Sequence, residues 1–541
     1  IKKIWCKRKR STPKGLWSIV KDVRGKNDSN SLSQFVSLFS DVDEAADYAR
    51  ELFSSFFQDQ GRCTFSLTPS WNDVEICNPY TVCSLLQKLN TSKALGSDHI
   101  PTFLLKASAL GICEPLSFIF NFSYNTACVP DAWKVADVVP LPKTSPVVKD
   151  QLRPISLLPV ISKVYESVVL KYHYEDLMSG YDSCQFAYRK NSSTVCALLA
   201  IHEHVLRFLD DPRIGAVRII TFDMSRAFDG VPHSILLERI CSLNRFRSDF
   251  LSRWTRSYLC NRRQRVRLGE TLSSLSDVTS GVPQGSILGP YFFSVFMSTY
   301  HASQPEVCLI KYADDTTLVI PVPKCSLNDM SVIASEIDNF KIWCLENCMK
   351  INSDKSKVLT VNMSTSPLLG VPDLKNVKAL KILGLIFNDK LTWSSHFDFI
   401  VSKLSRRLYI LRILKNTLCH DELVAIFHAV IRSVIDYASP VYLNPGITQD
   451  LRLIRLCKRA YKVIHGSNRC DICDMTEVVK RRNVLAMRLF EKIVNDKHHV
   501  LFTLLPKVSD RSGRIILPHV NTTRRCKNFF FSCSMFFNDK V

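Results

Sequence analysis

The stretch that decides the fold is YADD at residues 312–315, in which two acidic residues are adjacent. It lies between two runs of β-branched and apolar residues, 307–311 and 316–322, so we expect a β-hairpin with the acids at its turn. A third acid, Asp223, ends another such run at residues 216–222. Two carboxylates at one turn repel each other unless a cation shares the site.

The three acids lie far apart in sequence but in the same local context, at the end of a strand. If these strands are neighbours in one antiparallel sheet, Asp223, Asp314 and Asp315 converge at one edge. Hard oxygen ligands suit Mg²⁺, and two such ions can clamp the attacking and leaving oxygens in phosphoryl or nucleotidyl transfer. For a lone Asp, a surface turn is the simpler explanation. Three acids in two strand–turn contexts favour a metal site.

The composition is that of a globular protein with a polyanionic partner. The chain has 541 residues, of which 46% are hydrophobic and 22% charged, which predicts several subdomains rather than one core. The net charge is +21, and so large an excess favours nucleic acid as the partner. The alternative is a soluble basic protein with scattered lysines.

Cysteine usage indicates a reducing compartment. The 20 cysteines show no regular spacing, so we expect mostly core thiols rather than a disulfide framework. One C-x-x-C, Cys470 and Cys473, follows Cys457 and His465, but a zinc site needs a second ligand pair at suitable spacing. No signal peptide or membrane span is expected. The chain begins with Ile1, as a piece of a longer polypeptide would.

Two other segments allow more than one interpretation. The basic cluster at residues 2–10 is either a nuclear address, a nucleic-acid contact or a solvated linker. The segment SGVPQGS at residues 280–286 carries two glycines that let the backbone approach a ligand closely. Its Gln284 is able to hydrogen-bond a sugar, a base or a phosphate. A plain loop before a buried helix explains this segment equally well.

Three segments occur in a fixed order: FDMSRAFD at 222–229, GVPQGS at 281–286 and YADD at 312–315. Together they resemble motifs A, B and C of reverse transcriptases. The set is similar to the polymerases of non-LTR (LINE-type) retrotransposons of the jockey-like group. The likeness covers roughly residues 80–460. Further matching segments are 93–101, 152–158, 352–356 and 383–393.

The resemblance implies an α/β (α+β) fold of the right-hand polymerase type, with fingers, a ferredoxin-like palm and a helical thumb. We expect a basic N-terminal extension or linker at 1–75 and fingers with part of the palm at 76–215. The palm, with the metal site and a primer-positioning turn, is expected at 216–395 and the thumb at 396–470. No role is assigned to residues 471–541.

The resemblance also implies roles for individual residues. The catalytic acids would be Asp223, Asp314 and Asp315, and two Mg²⁺ ions would be held by Asp223, Asp314 and the carbonyl of Met224. The residues implied in nucleotide binding are Lys143, Arg153, Arg226, Ala227, Phe228, Gln284 and Lys355. The residues implied at the primer and template are Gln185, Arg189, Leu383 and Gly384.

Several of these roles have simpler alternatives. Phe228 would lie under the incoming sugar and exclude a 2′-hydroxyl, whereas an ordinary core aromatic is the alternative. Lys143 and Arg153 would hold the triphosphate, Arg with a planar fork, and Lys355 would lie near the leaving pyrophosphate, as a possible general acid. For each of these cations, a solvated surface side chain is the alternative.

The implied activity is RNA-directed DNA synthesis from dNTPs, with an RNA template and a DNA primer. A nuclear or cytoplasmic ribonucleoprotein is expected, neither secreted nor in a membrane; the oligomeric state is open. One alternative is a decayed, RNA-binding remnant, because Ala187 and Asn191 stand where the family usually or often has Gly. Another is an RNA-templated RNA polymerase, which commonly has a smaller or polar residue in place of Phe228.

Overall fold

The computed structural model describes residues 29–57, 74–243, 248–364, 367–466, 475–509 and 513–539. The basic cluster at residues 2–10 and the cysteines Cys470 and Cys473 lie outside these ranges. Among the helices inside them, none is both long and apolar enough to cross a bilayer.

The first two helices are folded onto the fingers. Helix α1 spans Ser29–Val36 and α2 spans Val42–Ser54, where the Asp41 side chain accepts a hydrogen bond from the Glu44 amide and caps the helix. Phe35 and Phe53 are fully buried in a core shared with fingers strands. Residues 29–57, part of the expected extension or linker, are therefore helical and packed against the rest of the protein.

The fingers region combines helices with two strands. In chain order its elements are α3 (Pro79–Gln87), α4 (Thr102–Ala107), α5 (Ala109–Asn125), β1 (Val135–Pro142), β2 (Leu152–Leu157), α6 (Val160–Tyr172), α7 (Tyr174–Ser179) and α8 (Thr194–Asp210).

The palm region contains most of the strands. Its first elements are β3 (Ile214–Phe222), β4 (Met224–Ser225), α9 (His233–Cys241), α10 (Ser248–Leu259), β5 (Arg262–Leu268), β6 (Thr271–Leu272), β7 (Ser276–Val278) and α11 (Gly289–Phe296). There follow β8 (Cys308–Tyr312), β9 (Asp315–Pro323), α12 (Ser331–Glu346), β10 (Lys350–Ile351), β11 (Lys357–Asn362), β12 (Lys375–Val377), β13 (Ala379–Ile382) and β14 (Leu385–Asn388).

Two larger sheets organise these strands. The first sheet joins the two fingers strands to three strands of the palm region, in the order β2-β1-β5-β6 with β7 on β5. The second, called the palm sheet, has the order β12-β11-β3-β9-β8. The sequence of β3 is almost continuously apolar because helices cover both faces of the palm sheet. Val217 and Ile219 pack in the core that contains α8, whereas Ile220 and Phe222 pack in the core that contains α12.

The thumb and the C-terminal region are helical. Their elements are α13 (Ser394–Leu414), α14 (His420–Ile426), a π-helical turn (Phe427–Arg432), α15 (Ser433–Asp436), α16 (Ile447–His465), α17 (Met475–Asn495), α18 (Thr523–Cys526) and α19 (Phe529–Asn538). All but α18 contribute buried apolar side chains to the core that contains α8. Polar contacts also join the C-terminal segment to α8: Arg525 Nη1 lies 2.8 Å from Asp210 Oδ2, and Asn528 Nδ2 lies 2.5 Å from Glu203 Oε2.

Candidate active site

The three acids predicted to form the metal site lie at one edge of the palm sheet. Asp223 follows β3 directly, Asp314 lies in the turn between β8 and β9, and Asp315 is the first residue of β9. In the β3–β9 ladder Phe222 pairs with Thr316. Asp223 and Asp315 are therefore each one residue beyond that pair, at the same end of neighbouring strands. The structure brings the acids together, while their role as metal ligands stays a prediction.

The acids perturb one another electrostatically. Desolvation raises the pKa of Asp314, and the negative charge of Asp223 raises it further, whereas Arg153 and Lys355 lower it. The pKa of Asp315 is raised to about 6 by desolvation and by the charges of Asp314 and Asp223. Asp315 nonetheless keeps exposed surface. A divalent cation would relieve this repulsion.

The donor set fits Mg²⁺ that is bound jointly with substrate. In the described ranges, no three His, Cys, Asp or Glu side chains are close enough to hold an ion by themselves. The Met224 side chain is buried, so only its backbone carbonyl is a candidate ligand. Mg²⁺ commonly takes one or two carboxylates and completes its octahedron with water and substrate phosphates.

The segment after β10 holds Asp223 in place. The Asn352 amide donates to the Asp223 carbonyl at 2.8 Å, and the Asp223 amide donates to Ser356 Oγ at 3.3 Å. Lys355 Nζ lies 3.6 Å from Asp223 Oδ2, although most of the lysine side chain is exposed. Lys355 thus lies beside Asp223, and its predicted role near the leaving pyrophosphate stays a prediction.

Further cations surround the acids. Lys143 and Arg153 are exposed residues close enough to Lys355 for their charges to interact. Desolvation lowers the pKa of Lys143, and the positive charges of Lys355, Arg153 and Arg226 lower it further, against the opposite effect of Asp229. Cations that repel one another beside a cluster of acids form a site for a polyanion such as a triphosphate.

The Gln284 side chain is fixed by a buried acid. Its Nε2 atom donates to both carboxylate oxygens of Asp229 at 2.8 Å. Burial raises the pKa of Asp229 to about 6, although the hydrogen bond from Gln284 and the charges of Lys143 and Arg226 oppose the rise. The Gln284 side-chain oxygen accepts no hydrogen bond from the described residues, so it is available to a ligand.

The two glycines of this turn serve backbone packing, which differs from the sequence-based expectation of close approach to a ligand. Gly281 has φ = 84°, and a Cβ there would lie 2.6 Å from the Asp229 carbonyl oxygen. Gly285 has φ = 136°, and a Cβ there would lie 2.4 Å from the Ser156 carbonyl oxygen. The turn thus packs closely against the segment that follows β4 and against β2.

The residues after Asp223 have fixed side chains. The Arg226 guanidinium carbon lies 3.6 Å from the centre of the Phe56 ring, and Ala227 is buried. Phe228 stacks on Phe293 of α11, with the ring centroids 4.3 Å apart and the planes at 16°. The ring that would select the sugar is therefore held in one orientation by the palm.

Two residues predicted to contact primer or template form hydrogen bonds with other groups of the protein. Gln185 is fully buried, and its Oε1 accepts hydrogen bonds from the amides of Ala313 at 3.0 Å and Ala187 at 3.1 Å. Arg189 donates to the Asp182 carbonyl at 2.6 Å. The buried Gln185 side chain holds the acidic hairpin through the Ala313 amide, and its predicted contact with primer or template stays a prediction.

The turn predicted to position the primer lies against the thumb. Leu383 and Gly384 connect β13 to β14 with φ values of 43° and 87°. The Tyr437 hydroxyl donates to the Leu383 carbonyl, and a Cβ on Gly384 would lie 3.2 Å from the Tyr437 ring. Tyr437 follows α15, so this turn is coupled directly to the thumb.

Three residues of the site had no role assigned from the sequence. Asp229 belongs to the same motif as Asp223, so a role for this acidic residue could have been predicted from the sequence. Phe56 and Tyr437 come from distant segments, and nothing local in the sequence indicates their contacts with Arg226 and Leu383.

Comparison with known families identifies the class of protein. Residues 141–387 match the family model of reverse transcriptase (RNA-dependent DNA polymerase). Residues 141–387 are therefore identified as a reverse transcriptase domain. The predicted right-hand polymerase fold is confirmed, whereas the predicted domain boundaries stay predictions.

The curated proteins that the chain resembles include RNA-directed DNA polymerases of Drosophila mobile elements. The chain is 28% identical over 380 residues to the RNA-directed DNA polymerase from mobile element jockey of Drosophila melanogaster, covering 67% of this chain and 41% of the relative. It is 28% identical over 356 residues to the probable RNA-directed DNA polymerase from transposon BS of the same species, covering 62% and 38%. The chain thus spans about two fifths of the length of these relatives. Among solved structures it is similar to apo telomerase from Candida tropicalis, at 13% identity and a TM-score of 0.37, covering 72% of this chain and 73% of that chain.

Proposed function

We propose that this protein extends the 3′ end of a DNA primer with dNTPs on an RNA template. The observation that carries the proposal is the meeting of Asp223, Asp314 and Asp315 at one sheet edge, with Arg153 and Lys355 beside them. Lys143 lies close to both cations. Nucleotidyl transfer requires acids that bind divalent cations next to basic side chains that bind the triphosphate, and the structure has both types of residue side by side.

Asp223 and Asp314 would hold two Mg²⁺ ions, and Asp315 would support them. Ions bound there would neutralise charge on the phosphates and favour ionisation of the primer hydroxyl. Lys143 and Arg153 would hold the triphosphate in line with that hydroxyl. Lys355, beside Asp223, would neutralise charge on the departing pyrophosphate.

Selection of the sugar and the base would depend on side chains that the palm holds rigid. Phe228, stacked on Phe293, would exclude a 2′-hydroxyl. Gln284, anchored by Asp229, would offer its free oxygen to the nucleotide. A preorganised pocket costs little reorganisation when the nucleotide binds.

The primer end would rest on the turn at Leu383 and Gly384, while cations on the thumb helices contact the duplex backbone. Exposed Arg455, Lys458, Arg459 and Lys462 follow helical spacing along one side of α16. Such a row suits phosphate contacts, which carry no sequence information. Template pairing would supply the sequence choice, and a ribonucleoprotein would be the working form.

Primer extension tests this proposal. The full chain, given an RNA template, an annealed DNA primer, dNTPs and Mg²⁺, should extend the primer. In the variant Asp314→Asn the rate of extension should fall by about 10³-fold or more, because one carboxylate of the proposed Mg²⁺ site becomes neutral. The matched control is Asp373→Asn, an exposed acid outside the site, which should keep wild-type activity.

Template binding, measured by fluorescence anisotropy, separates the enzyme from an RNA-binding remnant. Asp314→Asn should bind the primer–template nearly as well as wild type. Wild-type protein that binds the template tightly but extends no primer would overturn the enzyme and favour the remnant. Equal extension by wild type and Asp314→Asn would overturn the assignment of the acids.

A further inference from the structure

A cavity of about 470 Å³ lies away from the acids, between the palm, the thumb and the C-terminal segment. Its wall includes His202 of α8, Trp393 just before α13, Gln449 near the start of α16, and Arg524 and Lys527 of the C-terminal segment. No role was assigned from the sequence to any of these residues.

His202 is a buried polar side chain directed into this cavity. It is 8% exposed and has no hydrogen-bond partner among the described residues. Its ring packs beside those of Trp393 and Phe387, with centroid separations of 5.3 and 6.3 Å. Burial lowers the pKa of His202 to about 4, so the imidazole is neutral and has one N–H to donate. In the described part of the chain the ring thus has no partner for its N–H, and a ligand in the cavity would supply one.

The N-terminus of α16 opens on the same cavity. Gly446 precedes the helix with φ = 99° and no side chain caps it. The amides of Gln449 and Asp450 bond to the Gly446 carbonyl, whereas the amides of Ile447 and Thr448 have no acceptor in the described ranges. Free amides at the start of a 19-residue helix attract anions through the helix dipole.

The charges around the cavity are mostly positive. Arg524 and Lys527 are exposed, and neither forms an ion pair with a described carboxylate. The nearby acid Asp450 is already paired with Arg482 at 2.5 Å, and Asp210 is paired with Arg525 at 2.8 Å. Two cations, a helix N-terminus and an unpartnered imidazole thus face one space.

We propose that this cavity binds a phosphate ester of a nucleotide, either free or within a nucleic-acid strand. The phosphate would accept hydrogen bonds from the α16 amides, His202, Arg524 and Lys527. Trp393, which shares the wall, would stack on the sugar or the base. The site is separate from the acids of the palm, so it does not depend on the proposed polymerase activity.

Photocrosslinking tests the proposal on the full chain, with EDTA and without dNTPs so that catalysis plays no part. The probe is a six-nucleotide oligothymidylate that carries one 5-iododeoxyuridine. After irradiation and digestion, the crosslink should map to the peptide that contains Trp393. Charge reversal in Arg524→Glu/Lys527→Glu should lower its yield about tenfold at subsaturating probe, since two phosphate contacts are lost.

Lys497→Glu/Lys507→Glu is the matched control, because it reverses two exposed cations that do not line the cavity. It should keep the crosslink, whereas His202→Leu should weaken it by removing the buried donor. Competition with thymidine 5′-monophosphate identifies the source: full competition at an equal phosphate concentration indicates a free nucleotide, and weak competition indicates a strand. Absence of a crosslink at Trp393, or equal yields from the charge-reversed and control variants, would overturn the proposal.

Discussion

Replacing Asp229 by Asn should stabilise the protein, and increasingly so as the pH rises. Asp229 is 8% exposed, and burial raises the pKa of its carboxyl from 3.8 to about 6. Asn has nearly the same shape and can still hydrogen-bond Gln284. The variant therefore removes the cost of a buried negative charge and little else.

The magnitude follows from the pKa shift. A rise of about 2 units corresponds to about 3 kcal/mol of difference between the protonation states. Because the pKa is higher in the folded than in the unfolded protein, the cost is absent below about pH 4 and grows as the pH rises through the interval up to about 6. The advantage of Asp229→Asn in the free energy of unfolding should then be about 1.5 kcal/mol at pH 5 and about 3 kcal/mol at pH 8.

Thermal unfolding of wild type, Asp229→Asn and the control Asp373→Asn at pH 5 and pH 8 measures this difference. For a cooperative unit of a few hundred residues, 1 kcal/mol shifts Tm by roughly 1–3 °C. We expect Asp229→Asn to gain roughly 3–8 °C at pH 8 and about half of that at pH 5, with no gain in the control. A gain that is the same at both pH values, or a loss at pH 8, would refute the raised pKa.

Three further substitutions probe the site. Phe228→Ala should let the enzyme incorporate ribonucleotides, and an unchanged ratio of dNTP to rNTP use in primer extension would remove the sugar-selection role. Gly285→Ala should lower Tm by several degrees and impair extension, since its Cβ would lie 2.4 Å from the Ser156 carbonyl oxygen; calorimetry showing wild-type stability would argue against that packing. Gln185→Leu should cost about 2–5 kcal/mol, because the amides of Ala313 and Ala187 lose a buried acceptor, and it should slow extension without weakening RNA binding. Slowed extension together with an equal loss of RNA affinity would instead support the originally predicted contact between Gln185 and nucleic acid.

The convergence of the acids was predictable because its determinants are local. Strand periodicity and turn residues predict that Asp223 and the pair at 314–315 lie at strand ends. Antiparallel pairing of β3 with β9 then brings these ends to the same edge of the sheet. The match of the three motifs to one family then supplied the fold.

Contacts between distant segments could not be predicted. Gln185 bonds to Ala313, 128 residues away, and nothing near either residue indicates that pairing. The resemblance implied a contact of Gln185 with primer or template, whereas in the structure its side chain accepts hydrogen bonds from two backbone amides inside the protein. Similarly, nothing in the sequence of residues 29–57 indicates that Phe35 and Phe53 share a core with β1, β2 and β5.

The attachment of the C-terminal segment to α8 has a practical consequence for anyone preparing a shortened protein. Glu203 and Asp210 are each 4% exposed, and Asn528 and Arg525 supply part of their pairing. Cutting the chain after the thumb would remove these partners together with the segment that covers both carboxylates, and would leave Glu203 paired with Arg207 alone. A fragment meant for crystallisation should keep the sequence through residue 539, even when only the polymerase domain is of interest.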